Sequence, residues 1–177
     1  PRLASHLPDR AGYDADAIWP ALHTVTPSFI RVEADEATYN LHVAARFEIE
    51  RALFAGDLDV DELPGRWDDL YDELLGVRPP SVAEGVLQDI HWSMGAFGYF
   101  PTYTLGNLLA AQLFEAAGAA IGDLDDALAD GDLAPLLDWL RTNVHHLASR
   151  YPAPELIERA NGSPLQADAL LRHLSGT

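Results

Sequence analysis

The chain has 177 residues, a 48% hydrophobic content and a formal charge of −17, with 28 acidic residues against 11 cations, all of them arginine. A surplus of acid on this scale repels a nucleic-acid backbone, and the absence of cysteine rules out disulfides and thiolate metal sites. The length suits one domain with a buried core, no apolar run approaches the roughly 18 residues of a membrane span, and the opening "PRLASHLPDR" lacks the apolar heart of a signal peptide.

These features predict a protein that works in the cytoplasm, without nucleic-acid or membrane partners. The sequence opens on proline with no methionine, which reads as a chain that has been cut or processed. The first helix is predicted in "DADAIWPALHTV", where Asp14 or Asp16 can cap, Ile18, Leu22 and Val25 form a stripe, and Pro20 falls near enough to the start to be tolerated. A short β-leaning piece is expected near residues 28–33, within "SFIRVEAD". A helix follows from about Asp35 to Ala55, stopped by Gly56.

On that helix Asp35, Tyr39, His42 and Arg46 fall within an arc of roughly 60°. Apolar neighbours from Leu41 to Ile49 surround this polar stripe, so it borders a cleft or forms a self-satisfied set of ion pairs and hydrogen bonds. Arg31, just upstream, can present its planar fork to an internal carboxylate or to a ligand's. In "DVDELPGRWDDLYDELLG" a further helix carries Trp67, Leu70, Tyr71, Leu74 and Leu75 on one face and ends at Gly76.

Next comes "GVLQDIHWSMGAFGYFPTY", residues 85–103, with five aromatic rings and glycines at 85, 95 and 98. These glycines and Pro101 predict an irregular loop, the kind of segment on which sites concentrate. It carries His91, which Asp89 could orient, and Tyr99 and Tyr103, whose hydroxyls can donate to a developing oxyanion. Residues 103–121 are apolar almost all round and predict a buried helix. Three helices are expected to close the chain, over 133–150, 153–162 and 163–176, the last capped by Ser163 with Pro164 in its first turn and Gln166 completing a capping box. His145 and His146 point about 100° apart on a helix and cannot easily share a metal.

No metal set, phosphate loop or nucleophile elbow appears in the sequence. The reading so far is an all-α, buried multi-helix assembly in one domain over residues 1–177.

"IRVEAD" and "GVLQDIHW" match, at every fixed position, the paired I-R-x-x-A-D and G-x-x-Q-D-x-H-W motifs, so the chain resembles the M32 (carboxypeptidase Taq) metallocarboxypeptidase family from about Trp19 to its end. The resemblance implies the C-terminal half of a helical zinc-peptidase fold whose parent removes residues from peptide C-termini, commonly as a homodimer. It implies a zinc held by a His-Glu-x-x-His helix that this sequence lacks, so the chain alone is expected to hold no metal, to be inactive, and to have the missing N-terminal portion of the enzyme as a partner.

By the same resemblance Arg31 binds the substrate's terminal carboxylate, with Gln88 and Asp89 alongside it, the pair orienting His91. His91 contacts the substrate near its scissile bond. Tyr99 and Tyr103 resemble oxyanion-binding tyrosines of related zinc peptidases. The alternative is a truncated, non-catalytic helical module that binds peptide C-termini or self-associates.

Overall fold

A computed structural model describes residues 15–176, and the side chains of residues 15–17 and of Ala148 stand outside that description. A cap by Asp14 or Asp16 therefore falls outside the described residues. Contacts group the chain into two compact units, Pro1–Pro101 and Thr102–Thr177.

In the first unit, helix α1 (Ala15–Leu22) is followed by a 3-10 turn at Arg31–Glu33, helix α2 (Tyr39–Ala55), a second 3-10 turn at Val60–Glu62 and helix α3 (Leu63–Leu75). Gly56 and Gly76 end α2 and α3 in left-handed conformations, φ 77° and 69°, a backbone region that glycine enters without the strain an L side chain would bring. The two helices pack through Ala45 and Ile49 of α2 against Trp67, Leu70, Tyr71 and Leu75 of α3, with Val86 added from the following segment. Each large side chain so buried contributes about 1.5–3 kcal/mol.

The expected β piece near residues 28–33 is corrected to the 3-10 turn, in which the Glu33 amide donates to the Ile30 carbonyl and the Ala34 amide to that of Arg31. A strand needs a partner edge for its amides. Here the Arg31 amide instead donates to the Gln88 side chain at 2.9 Å. Nor does α2 start at Asp35: that carboxylate accepts from the Thr38 and Thr26 amides, both at 2.8 Å, and gathers the chain ahead of the helix. Burial would raise its carboxyl, but these amide bonds outweigh that and hold it below the ordinary range.

The second unit is built from helices α4 (Pro101–Ile121), α5 (Leu124–Ala129), α6 (Ala134–Leu140), α7 (Ala153–Asn161) and α8 (Asp168–Ser175). Instead of one helix over 133–150, α6 gives way to a π turn at Arg141–His145 and a 3-10 turn at Ala148–Arg150. Helix α4 is not buried all round, since Leu105 and Phe114 are 48% and 46% exposed while Gln112 and Ala117 are buried.

Helix α8 begins at Asp168, and the capping box predicted at Ser163 does not form there. Gln112 competes for that segment: its carboxamide donates to Ser163 Oγ and the Pro164 carbonyl and accepts from the Gln166 amide, at 3.3, 3.1 and 2.9 Å. Among the described residues no strand occurs, and no helix is long and apolar enough to cross a membrane.

Candidate functional site

Four polar side chains from three places in the first unit interlock. Arg31 sends Nε and Nη2 to Oδ1 of Asp89, at 3.1 and 2.6 Å, and Nη1 to the Tyr39 hydroxyl at 3.0 Å. Arg46, with no exposure at all, donates from Nε to the other oxygen of Asp89 at 2.7 Å and from Nη2 to Gln88 Oε1 at 2.9 Å. Its guanidinium lies over Trp67, 4.6 Å from the ring centroid, and 5.2 Å from that of Phe100.

Gln88 completes the knot. Its Oε1 accepts from the Arg31 amide and from Arg46, and its Nε2 donates to the Phe29 and Glu84 carbonyls at 2.8 and 2.9 Å. Four bonds of matching polarity fix which way the carboxamide points. The chain can approach closely here because Gly85 is buried: a Cβ on it would stand 3.1 Å from the Ser81 carbonyl oxygen and 3.4 Å from Pro79 Cβ.

One carboxylate thus serves two guanidiniums. Burial by itself would raise the carboxyl of Asp89, but the hydrogen bonds and charges of Arg31 and Arg46 outweigh it and hold the group below the ordinary range. For Arg31 burial works toward release of the proton, and the bond and charge of Asp89 more than reverse that, leaving it raised.

Behind the knot His42 is fully buried. Its Nδ1 lies 3.1 Å from the Tyr71 hydroxyl, which also accepts from Arg46 Nη1 at 2.9 Å, and its Nε2 is buried without a hydrogen-bond partner. An imidazolium would need an acceptor at both nitrogens. Burial first, and the Arg46 charge second, push its pKa down from 6.5 to about 4. The folded state therefore binds this proton less readily than the unfolded one, and its stability is whole above pH 6.5 and drains as pH falls toward about 4.

The expected loss across that window is about 3 kcal/mol. Urea midpoints measured from pH 7 to pH 4.5 should fall, and His42→Gln should flatten that slope. An unchanged slope in the variant would refute the assignment.

The structure places the predicted site residues as follows. Arg31, Gln88 and Asp89 are together in the knot. His91 stands beside it, half-buried, with Nδ1 3.8 Å from Oδ1 of Asp89, a distance beyond hydrogen-bond reach. The ring sits against Phe100, centroids 4.4 Å apart, and Tyr99, 5.7 Å.

Tyr99 is 49% exposed. Tyr103 lies in the first turn of α4, within the second unit. Two residues with central places were missed as site residues: Arg46, noticed only as part of a stripe, and Glu50, which continues it. The signal was present, since His42, Arg46 and Glu50 follow at steps of four and all three are buried.

Among the described residues no group of three or more histidine, cysteine, aspartate or glutamate side chains could hold a metal ion. The chemistry on view among these side chains is the pairing of two arginines with one internal carboxylate, with an imidazole and a phenol ring beside it.

Comparison with known proteins puts these residues in company. The sequence model of the carboxypeptidase Taq (M32) metallopeptidase family matches residues 1–177. Thermostable carboxypeptidase 1 of Thermus thermophilus is 49% identical over 154 residues, 87% of this chain and 30% of that protein. The protein of the same name from Pyrococcus furiosus is 40% identical over 97% of this chain and 34% of its own length.

Among solved structures, the M32 carboxypeptidase from Deinococcus radiodurans superposes with a TM-score of 0.95 at 44% identity, covering 99% of this chain and 36% of the other. Trypanosoma cruzi metallocarboxypeptidase 1 gives a TM-score of 0.91 at 36% identity, over 98% of this chain and 38% of the other. The chain spans about a third of the length of the curated relatives it matches.

Proposed function

Because the chain belongs to the carboxypeptidase Taq (M32) metallopeptidase family, we propose that it is the C-terminal portion of a zinc-dependent carboxypeptidase and forms the wall that receives a peptide's terminal carboxylate. One observation carries this reading: Arg31 and His91, sixty residues apart in sequence, flank a single oxygen of Asp89, which Arg31 bonds at 2.6 Å and from which His91 Nδ1 stands 3.8 Å away. A cation and an imidazole brought that close suit the two ends of one residue, its free carboxylate and its scissile amide.

Asp89 takes the Nε and Nη2 edge of Arg31, so a substrate carboxylate meets the guanidinium at the edge bearing Nη1, whose orientation Tyr39 already fixes. Gln88 holds the main chain of Arg31 in place, and Arg46 holds Asp89. His91 contacts the substrate beside the bond to be cut, and Tyr99 is a hydrogen-bond donor for the oxygen that gains charge there. The described residues do not fit a zinc site.

Two measurements test the reading. Residues 1–177 alone should take up no stoichiometric zinc by metal analysis and should release no C-terminal residue from a blocked dipeptide, and turnover abolished by a chelator would overturn this. Calorimetric titration should show a peptide with a free C-terminus binding at least tenfold more tightly than its amide; equal affinity would leave the carboxylate site without support.

The enzyme is proposed to act as a homodimer, and the chain alone to self-associate. Phe54, Leu87, Ile90 and Met94 are between 67% and 73% exposed in the first unit, apolar area that association would cover. Size-exclusion chromatography should show a species larger than 19.3 kDa. A clean monomer would count against it.

A further inference from the structure

Glu50 lies one turn beyond Arg46 on α2 and is 4% exposed. Its Oε1 accepts from the Trp92 indole Nε1 at 2.7 Å and its Oε2 from the Gly98 amide at 3.0 Å. Both donors are neutral. A buried carboxylate held this way loses its hydration for two modest bonds, and an apolar side chain of similar volume would fill the space at less cost.

What the carboxylate supplies is geometry. Its two oxygens grip the two ends of residues 92–98. Between the grips the chain reverses through Gly95, with φ 74°, and Gly98 itself has φ 75°. The Ala96 amide closes onto the His91 carbonyl at 2.8 Å. Phe97 packs edge-on against Phe54, centroids 5.3 Å apart, and parallel to Trp92 at 6.3 Å, so the tip has an apolar backing.

His91 is the residue just before the first grip and Tyr99 the residue just after the second. Their rings stand 5.7 Å apart, inclined by 32°. We propose that Glu50 is a positioning residue whose carboxylate sets the separation and aim of His91 and Tyr99 toward the peptide. The proposal rests on the reading of those two as substrate-facing groups.

A double-mutant cycle in the full-length, metal-loaded enzyme tests it. Glu50→Gln keeps the volume but turns an amide NH2 toward one of the donors, and it should lower kcat by about 10- to 100-fold with KM changed less than threefold, since a misplacement near 1 Å can cost about 10² in rate. Trp92→Phe removes a single donor and should move kcat in the same direction by a smaller factor. On a background carrying both His91→Ala and Tyr99→Phe, Glu50→Gln should cost less than twofold, because both groups it aims are gone.

The same loss on both backgrounds would make Glu50 a residue that holds the fold and no more, and would overturn the proposal. Unaltered kcat in both single variants would do so too. Full activity in His91→Ala would instead remove the underlying reading, and the proposal with it. Should Glu50→Gln fail to fold, judged by its thermal midpoint, the cycle between Trp92→Phe and the paired His91→Ala, Tyr99→Phe background gives the decision.

Discussion

Asp89→Asn is expected to destabilise the chain by about 3–5 kcal/mol, the penalty for leaving buried charge without its partner. Arg46 has no exposed surface and directs its donors at this carboxylate, so its guanidinium cannot turn to water when the charge is removed, and Arg31, 6% exposed, loses the partner of two of its donors. With a typical total of about 5–15 kcal/mol, such a loss consumes much of what holds a domain folded. Urea denaturation at pH 7 would show it as a lower midpoint at unchanged slope.

The pH dependence separates this effect from that of His42. A carboxyl depressed on folding contributes stability above its unfolded value, near 3.8, and surrenders it as pH falls through the lower folded value. The wild type should therefore lose this contribution only below about pH 4, and Asp89→Asn should lack that step. A variant as stable as the wild type at neutral pH would mean that the knot is not what fastens residues 84–92 to α2.

Arg31→Lys is expected to weaken the enzyme's kcat/KM on peptides with a free C-terminus by roughly 30- to 700-fold, matching about 2–4 kcal/mol for a desolvated charge pair. Lysine keeps the charge but has no planar fork, so it cannot hold Asp89 along one edge and a second carboxylate along the next. The ratio between free and amidated peptides should collapse toward unity. Because the same change also loosens the knot, the folded fraction must be fixed by thermal midpoint before rates are compared. Retained preference for the free C-terminus in a folded Arg31→Lys enzyme would place the carboxylate elsewhere.

Much of this architecture was legible in the sequence because local rules decide it. Gly56 and Gly76 ended their helices as read, and the face of Trp67, Leu70, Tyr71 and Leu75 packed as its spacing predicted. The loop of residues 85–100 is irregular, as its glycines required.

What was not legible depends on distant partners. Asp89 lies two residues from His91, yet its bonds go to Arg31 and Arg46, 58 and 43 positions away. The start of α8 was misplaced because Gln112, more than fifty residues upstream, takes the groups a capping box would have used. The short α5 carries no strong period and passed unnoticed. Tyr71, read as one more apolar-face ring, proves to be where His42 and Arg46 meet.

The carboxamide of Gln88 also bears on the order of folding. Its bond to the Phe29 carbonyl spans 59 positions, and all of α2 and α3 lies inside that span. Closing so long a circuit costs chain entropy that is recovered only once the enclosed helices have shortened the path. Assembly of the arginine cluster is thus expected to be a late event, after the helical hairpin has condensed. By the same token it is among the first parts undone when that hairpin opens.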